Sequence, residues 1–325
     1  VAVVAYAVTG EGTGPRAARQ PVALASLGID RIAGSGEYLD VALSYASDGT
    51  AVVAWIRLTA TGSQVEAVQR RVGADRWSAP TPLPSPSASV ADLGLVTGSG
   101  GDVALAWRAD GGPIVAWYAA RWRPGTGWSA ATTIARLPVD AVPQLVALPA
   151  GALLAVWSDG PRLRYATLPA ASSRWSPPGA AASLPPGTDA HDLQVGAGGD
   201  GLVTATWIVR RGAVGSRVMA ATFRRRWSRP VLVAAAGSAG GLDGLVEAVD
   251  RTGRATIVWR DLAARRRLRS ATHAPGSPWV LAAGPSGVDV TDAYRGSLRG
   301  DAAGAVTGGW LIGSAVAVAR RDAGG

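Results

Sequence analysis

The chain contains no cysteine. That excludes disulfides, thiolate metal sites and cysteine nucleophiles, and it leaves the compartment open. Lysine and asparagine are also missing, so all 32 basic side chains are arginine, and Phe223 is the sole phenylalanine. Those residue types use AT-rich codons, so their absence reads as the imprint of a GC-rich genome. Glutamate is scarce, confined to Glu11, Glu37, Glu66 and Glu247, and histidine to His191 and His273. No apolar run is long enough to span a bilayer. No P-loop, no Rossmann fingerprint after a strand and no helical zinc-protease motif occurs. The Gly-rich stretch at 196–201 falls in a strand-to-strand turn, away from any phosphate cradle. No cofactor or metal is expected.

What is present points to a large β fold. Hydrophobic residues make up 48% of 325 positions, enough for a substantial core and too many for disorder. The 43 Gly and 21 Pro are spread along the chain, as many short strands joined by turns require. The net charge is +9, but the arginines scatter, apart from runs at 224–226 and 265–267 in strand ends or turns. Such runs solvate edges, so no nucleic-acid partner is expected.

An internal repeat decides the architecture. A Trp follows six residues after a Gly at Trp55, Trp107, Trp157, Trp207, Trp259 and Trp310, every 50 to 52 residues. An apolar strand A precedes each Gly, as in Asp40–Ala46 and Asp192–Ala197. The Gly itself sits in a turn such as Asp48-Gly49 or Asp200-Gly201, expected to be a two-residue hairpin. Strand B ends on the Trp, and strand C follows a polar loop. A second Trp opens strand D at Trp77, Trp128, Trp175, Trp227 and Trp279, with Ser next in four of the five. The expected fold is therefore an all-β, six-bladed β-propeller of four-stranded antiparallel blades. It is read as a single domain over residues 1–325. The last unit lacks a strand D, and Gln20–Leu24 resembles one, so that N-terminal segment is expected to close the ring as the outer strand. Residues 1–19, beginning at Val1, are read as a leader remnant or a spare strand. The repeat Trp residues are expected to pack between blades.

The unit G-x-A-x-x-x-W followed by W-S-x-P-x-x-L resembles repeats of secreted bacterial β-propeller proteins of the actinobacterial type, over nearly the whole chain. The resemblance is to sialidases in fold only. It implies a secreted or cell-surface protein and says almost nothing about activity. Sialidases use an arginine triad, a Tyr-Glu pair and an Asp acid. Here only Arg31-Ile32-Ala33 approaches their early Arg motif, and their Asp-box spacing is absent.

Candidate chemistry gathers at the start of strand A, which lines the channel of a propeller. Fifteen residues before each Trp lie Asp40, Asp92, Val142, Asp192, Gly244 and Arg295. Asp189, His191, Asp243, Asp289 and Asp292 are close by. Carboxylates with an Arg suit sugar hydroxyls or a hard cation; Asp before a strand also serves as a turn cap. Asp40, Asp92, Asp192, Arg295 and His191 are taken as the ligand-binding residues, with no catalytic set. The expected function is a non-enzymatic, extracytoplasmic binding or scaffold module, monomeric, contacting a glycan or cell-surface partner at one channel mouth. The alternatives are a polysaccharide-acting glycoside hydrolase or lyase using the same carboxylates, and a protein-interaction scaffold.

Overall fold

The computed structural model describes residues 5–8, 33, 37–45, 48–83, 89–98, 101–109, 112–141, 143–210, 215–236, 241–262, 267–284, 293–300, 305–312 and 315–321. Gln20–Leu24, Arg31, Ile32, Val142, Asp289 and Asp292 lie outside them. Among the described residues the strands form six sheets. Strand β1 (Ala5–Val8) belongs to the last of these. The first sheet runs β2 (Tyr38–Tyr45), β3 (Ala51–Thr59), β4 (Gly62–Arg70), β5 (Thr81–Leu83). The second is β6 (Val90–Thr97), β7 (Val103–Ala109), β8 (Ile114–Arg123), β10 (Thr132–Pro138), with β9 (Gly127–Trp128) also paired to β8. The third is β11 (Gln144–Ala147), β12 (Leu153–Ser158), β13 (Arg162–Leu168), β14 (Gly179–Ser183). The fourth is β15 (Asp189–Ala197), β16 (Val203–Arg210), β17 (Ser216–Phe223), β18 (Val231–Ala235), and the fifth β19 (Leu242–Val249), β20 (Ala255–Asp261), β21 (Arg267–His273), β22 (Val280–Ala283). The sixth is β23 (Ala293–Gly300), β24 (Val306–Ile312), β25 (Ala315–Arg321) and β1.

The first five sheets are antiparallel, as the repeat predicts. In the sixth, the outer place is taken by Ala5–Val8, which pairs parallel to β25 with Ala5 opposite Val316. A parallel strand needs no hairpin to its neighbour, so a segment from the far end of the sequence can fill that place. The chain divides into two compact units, Asp30–Ser183 with the first three sheets and Leu184–Gly325 with Val1–Ile29 holding the other three.

The repeat Gly is explained by the backbone. Gly49, Gly101, Gly151, Gly201 and Gly253 all have φ between 80° and 82°. The turns are longer than the two-residue hairpin expected. Gly98 N bonds Asp102 O, Gly198 N bonds Leu202 O and Asp250 N bonds Arg254 O, which leaves loops of three residues with Gly last. A three-residue hairpin puts its last residue in the left-handed region, where Gly carries no Cβ penalty. The Asp of the turn serves locally: Asp48 Oδ1 accepts from Thr50 N at 2.9 Å, and Asp200 Oδ1 from Leu202 N at 3.0 Å.

The Trp-Ser dipeptide is likewise a backbone device. Ser78 N donates to Gln69 O at 2.9 Å while Ser78 Oγ accepts from Gln69 N at 3.1 Å. Ser129 with Arg121, Ser176 with Thr167 and Ser228 with Thr222 repeat this two-bond clasp. A small hydroxyl residue thus secures strand D to strand C where regular pairing has not yet begun.

The strand-B Trp residues are all buried. Each described cluster joins neighbouring sheets within a unit. Trp107 packs with Ala54, Ile56, Val65 and Ala67 of the preceding sheet, Trp157 with Ala106, Val115 and Ala119, and Trp259 with Ile208, Val218 and Ala220. Small residues on one face make room for the indole from the next. The strand-D Trp residues are half-buried, whereas Trp117 and Trp122, outside the repeat, are fully buried. Trp207→Ala should therefore destabilise the protein by about 3–5 kcal/mol, as a large core deletion does. Urea unfolding monitored by far-UV circular dichroism measures this; a change within error of zero would contradict the packing role.

Candidate functional site

Asp40, Asp92 and Asp192 share more than their count from the Trp. Their φ angles are 50°, 56° and 50°, and Gly244 at the same repeat position has 63°. Pairing between strands A and B shifts register at this point in all four sheets: between Leu39 and Val41, Ala91 and Gly94, His191 and Gln194, and Asp243 and Val246. Each is a β-bulge with its first residue left-handed, a geometry that favours Gly and, among side-chain-bearing residues, Asp and Asn. The bulge lies across from the strand-B Trp and re-aims the start of strand A.

The carboxylates use the bulge to fasten sheets together. Asp40 Oδ1 accepts from Val41 N and Oδ2 from Leu93 N of the second sheet, both at 2.9 Å. Asp192 Oδ2 accepts from Gly244 N of the fifth sheet at 2.8 Å. A second bond accompanies each. Val90 N donates to Ser63 Oγ at 2.8 Å, and Leu242 N to Ser216 Oγ at 2.6 Å. The cap reading of these Asp residues is thus right in kind, but the amides they cap belong mostly to the next sheet.

Asp92 differs. It pairs with Arg108 of its own sheet, and its side chain is 55% exposed. Arg108 follows the strand-B Trp directly, and its NH1 also donates to Val139 O at 2.7 Å. The matching residue of the fifth sheet, Arg260, forms a two-bond fork on Asp243, Nε to Oδ1 at 2.7 Å and NH2 to Oδ2 at 2.6 Å. Arg164 and Asp159 form a similar pair at 2.6 Å. The sequence reading credited this end of the sheets with one arginine, Arg295. Arg108 and Arg260 were missed, although an Arg immediately after a repeat Trp was there to be seen. Arg295 itself is not on a bulge: it pairs directly with Leu311, and the shift in its strand lies one residue earlier, between Ala293 and Arg295. Its equal count from the Trp does not give it the backbone role of the Asp residues. His191 lies on β15 beside Asp192, opposite Ile208.

Within the first unit, strands β2, β6 and β11 neighbour one another, as do β15, β19 and β23 within the second. Their bulged ends therefore form one acidic and basic edge in each unit: Asp40, Asp92 and Arg108 in the first, Asp189, His191, Asp192, Asp243 and Arg260 in the second. Among the described residues no group of three or more His, Asp or Glu is close enough to hold a metal ion.

Glu247 was passed over in the sequence because no motif surrounds it. It lies on β19 at a repeat position held elsewhere by Leu43, Leu95, Leu145, Val195 and Leu298. Its Oε2 accepts from Thr206 Oγ1 at 2.7 Å, and Thr206 stands where other repeats have Ala54, Ala106, Val156, Val258 and Gly309. Oε1 is enclosed and has no hydrogen-bond partner. Burial pushes this carboxyl well above the usual range, against the smaller opposing effect of the Thr206 bond. His273 is pushed the other way by burial and stacks on Trp279 with 5.0 Å between ring centroids.

No family model and no curated protein sequence matches this chain. Solved structures do. The GH93 α-L-arabinofuranosidase of Fusarium graminearum, in complex with arabinobiose, is 13% identical with a TM-score of 0.54, over 88% of this chain and 93% of that one. The α-L-arabinanase of Penicillium chrysogenum is 12% identical with a TM-score of 0.53, over 88% and 94%. The intramolecular trans-sialidase of Ruminococcus gnavus is 9% identical with a TM-score of 0.53, over 89% and 95%. At these identities the likeness establishes the fold, which is of the propeller-like kind shared by these enzymes. It also corrects the expected function. The reading as a non-enzymatic binding or scaffold module does not stand against these fold matches to carbohydrate-active enzymes, over 88–89% of this chain.

Glu247 supplies a test of the local electrostatics. A carboxyl held above its unfolded value keeps its proton more firmly in the folded state. Its contribution to stability is therefore lost as pH rises from the unfolded value of about 4.3 towards the folded one. Glu247→Gln keeps the shape and removes the titration. Its melting temperature should exceed that of the parent at neutral pH, and the gap should close as pH falls below about 4. Parallel melting curves across that range would refute the burial argument.

Proposed function

We propose that this protein is a carbohydrate-active enzyme, a glycoside hydrolase acting on a polysaccharide through carboxylates at the bulged ends of the inner strands. The six sheets are read as six propeller blades, with Ala5–Val8 as the outer strand of the last. The observation that carries the proposal is the match of fold over most of the chain with arabinan- and sialoside-type enzymes, combined with an edge of Asp and Arg at the strand ends. Glycosidic hydrolysis needs one carboxyl group to protonate the departing oxygen and another to attack the sugar or activate water. Asp92, open to solvent beside the Arg108 cation, is proposed as one of these. Arg108 supplies donors for hydroxyl or acidic groups of a sugar. A substrate of this class places the protein at the cell surface or in the secreted fraction. Among the described residues no helix is long and apolar enough to cross a membrane.

The test is hydrolysis of linear arabinan, an aryl α-L-arabinofuranoside and a sialyl-lactose by the purified chain, followed by release of reducing sugar or aryl alcohol. Asp92→Asn is expected to lower kcat at least about 100-fold, the scale of a lost acid or base. Asn tolerates the left-handed backbone and still accepts a hydrogen bond, so melting temperatures should stay close to the parent. Turnover of none of the three substrates, or full activity in the Asp92→Asn variant, would overturn the proposal.

A further inference from the structure

In the second unit, arginines gather at the end of the sheets away from the bulges. Phe223 and Trp227 of the fourth sheet form an antiparallel bridge, so the turn between them consists of Arg224, Arg225 and Arg226 alone. Its base is firm. The two rings lie 5.2 Å apart between centroids, and Ser228 clasps Thr222 through its amide and its hydroxyl. All three arginines are exposed, as is Arg229 just beyond. Three like charges on consecutive residues of so short a turn cannot separate far without opening it.

The turn between β19 and β20 of the fifth sheet adds exposed Arg251 and half-buried Arg254. It is fastened to the matching turn of the fourth sheet. Gly199 N donates to Arg251 O at 2.9 Å, and an added Cβ on Gly198 would meet Gly253 Cα at 2.6 Å. Two described carboxylates stand at these turns, and both are committed. Asp250 is buried, and its Oδ1 accepts from Thr252 N at 2.8 Å, Thr252 Oγ1 at 2.6 Å and Arg254 N at 3.0 Å. Asp200 accepts from Leu202 N and pairs with Arg224. Arg225, Arg226, Arg229 and Arg251 make no ion pair with any described residue. At the bulged ends the pattern is the reverse, since Arg108 and Arg260 each reach a carboxylate of their own sheet. Burial, and then the charge of Arg254, weaken the hold of Arg321 on its proton, with Asp250 opposing them, so like charge is felt across to the sixth sheet.

We infer that this end of the second unit binds an acidic polysaccharide, the carboxylate or sulfate groups of successive sugars lying on Arg225, Arg226, Arg229 and Arg251. Guanidinium suits either group, through paired N–H donors. A chain is required because the unpaired cations belong to two sheets, which pack about 10 Å apart, and one small anion does not cover both. The aromatic side chains of the turn are turned to packing: Phe223 is buried and Trp227 half-buried against it, which leaves no platform for the base stacking that holds single-stranded nucleic acid. The choice of a sugar polymer among polyanions rests on the carbohydrate-active reading above. The surface itself is distinct from the bulged ends, since a strand such as β15 separates the two by roughly 25 Å.

The test immobilises polygalacturonate, dextran sulfate, neutral dextran and oligothymidylate, and measures binding of the full chain by interferometry. The first two should bind and distinguish carboxylate from sulfate as the preferred group; neutral dextran should not. Arg225→Gln with Arg226→Gln should weaken binding of the preferred polymer about tenfold or more and flatten its dependence on salt between about 50 and 200 mM. Arg251→Gln, in the other sheet, should weaken it about threefold. Arg217→Gln with Arg267→Gln removes the same charge from exposed positions at the bulged end, and should leave affinity within about twofold. Hydrolysis of the aryl arabinofuranoside, a small neutral substrate, should be unchanged in all of these variants, so loss of polymer binding and loss of the hydrolase reading are scored separately. Binding of neither acidic polysaccharide, tighter binding of oligothymidylate than of both, or equal losses in the variants at the two ends would each overturn the assignment.

Discussion

A tryptophan at the end of the second strand, pressed against small residues of the sheet before it, is the contact on which this fold depends. The indole of Trp107 on Ala54 and Ala67, or of Trp157 on Ala106 and Ala119, is what makes two sheets one body. A four-stranded sheet of this length has two apolar faces and cannot hide both alone. Covering one face with the next sheet exposes another, so the solution has to be repeated along the chain. The alternation of a large residue on one face with Ala on the facing one sets the spacing between sheets. It also explains why alanine is abundant on these strands without any helix to house it.

The same tryptophan fixes where chemistry can sit. The first strand bulges opposite it, and a bulge of this type puts one residue in the left-handed region. The choice is then nearly forced to Gly or to Asp, since Asn does not occur in this chain. Where Gly244 fills the place, nothing extends from the backbone. Where Asp fills it, a carboxylate is delivered to the strand end as a by-product of backbone geometry. Asp40 and Asp192 spend it on amides of the neighbouring sheet. Asp92 does not, and is joined by Arg108 instead. An acidic edge can thus arise for structural reasons and remain available to catalysis at the one or two positions where the neighbouring amide makes no claim.

That origin explains what could be read from the sequence. The repeat, the strand order and the buried Trp residues were legible because each reflects a period in which one residue type meets one steric demand. The Asp positions were legible as a register for the same reason, but their meaning was not. A left-handed φ cannot be distinguished from a ligand site by counting residues, and the count failed outright at Arg295, where the bulge is one residue out of step. The outer strand of the sixth sheet was assigned to Gln20–Leu24 by likeness to other strand-D segments. Parallel pairing by Ala5–Val8 follows no such likeness, since a parallel edge strand has no turn to announce it. The non-enzymatic reading was drawn from the absence of a catalytic motif, and a fold likeness to carbohydrate-active enzymes at 9–13% identity leaves no motif to find.

Departures from the repeat are the remaining guide, and they separate the two kinds of polar burial in this protein. Glu247 and Thr206 break the pattern together and satisfy one another in part, so their polarity is contained within the packing of two sheets. Arg121 breaks it together with Asp102, which lies 3.8 Å from its Nε and stands where other repeats have Thr50, Ala152, Leu202, Arg254 and Ala305. Its partners are a backbone carbonyl and a carboxylate too distant to bond, and Arg123 adds charge of the same sign. An interior can absorb a polar pair that neutralises itself, and it does so at little cost in shape. Glu247 thus meets its partner by a hydrogen bond and Arg121 meets Asp102 by charge alone, and these are two ways in which the interior of these sheets accommodates a polar side chain.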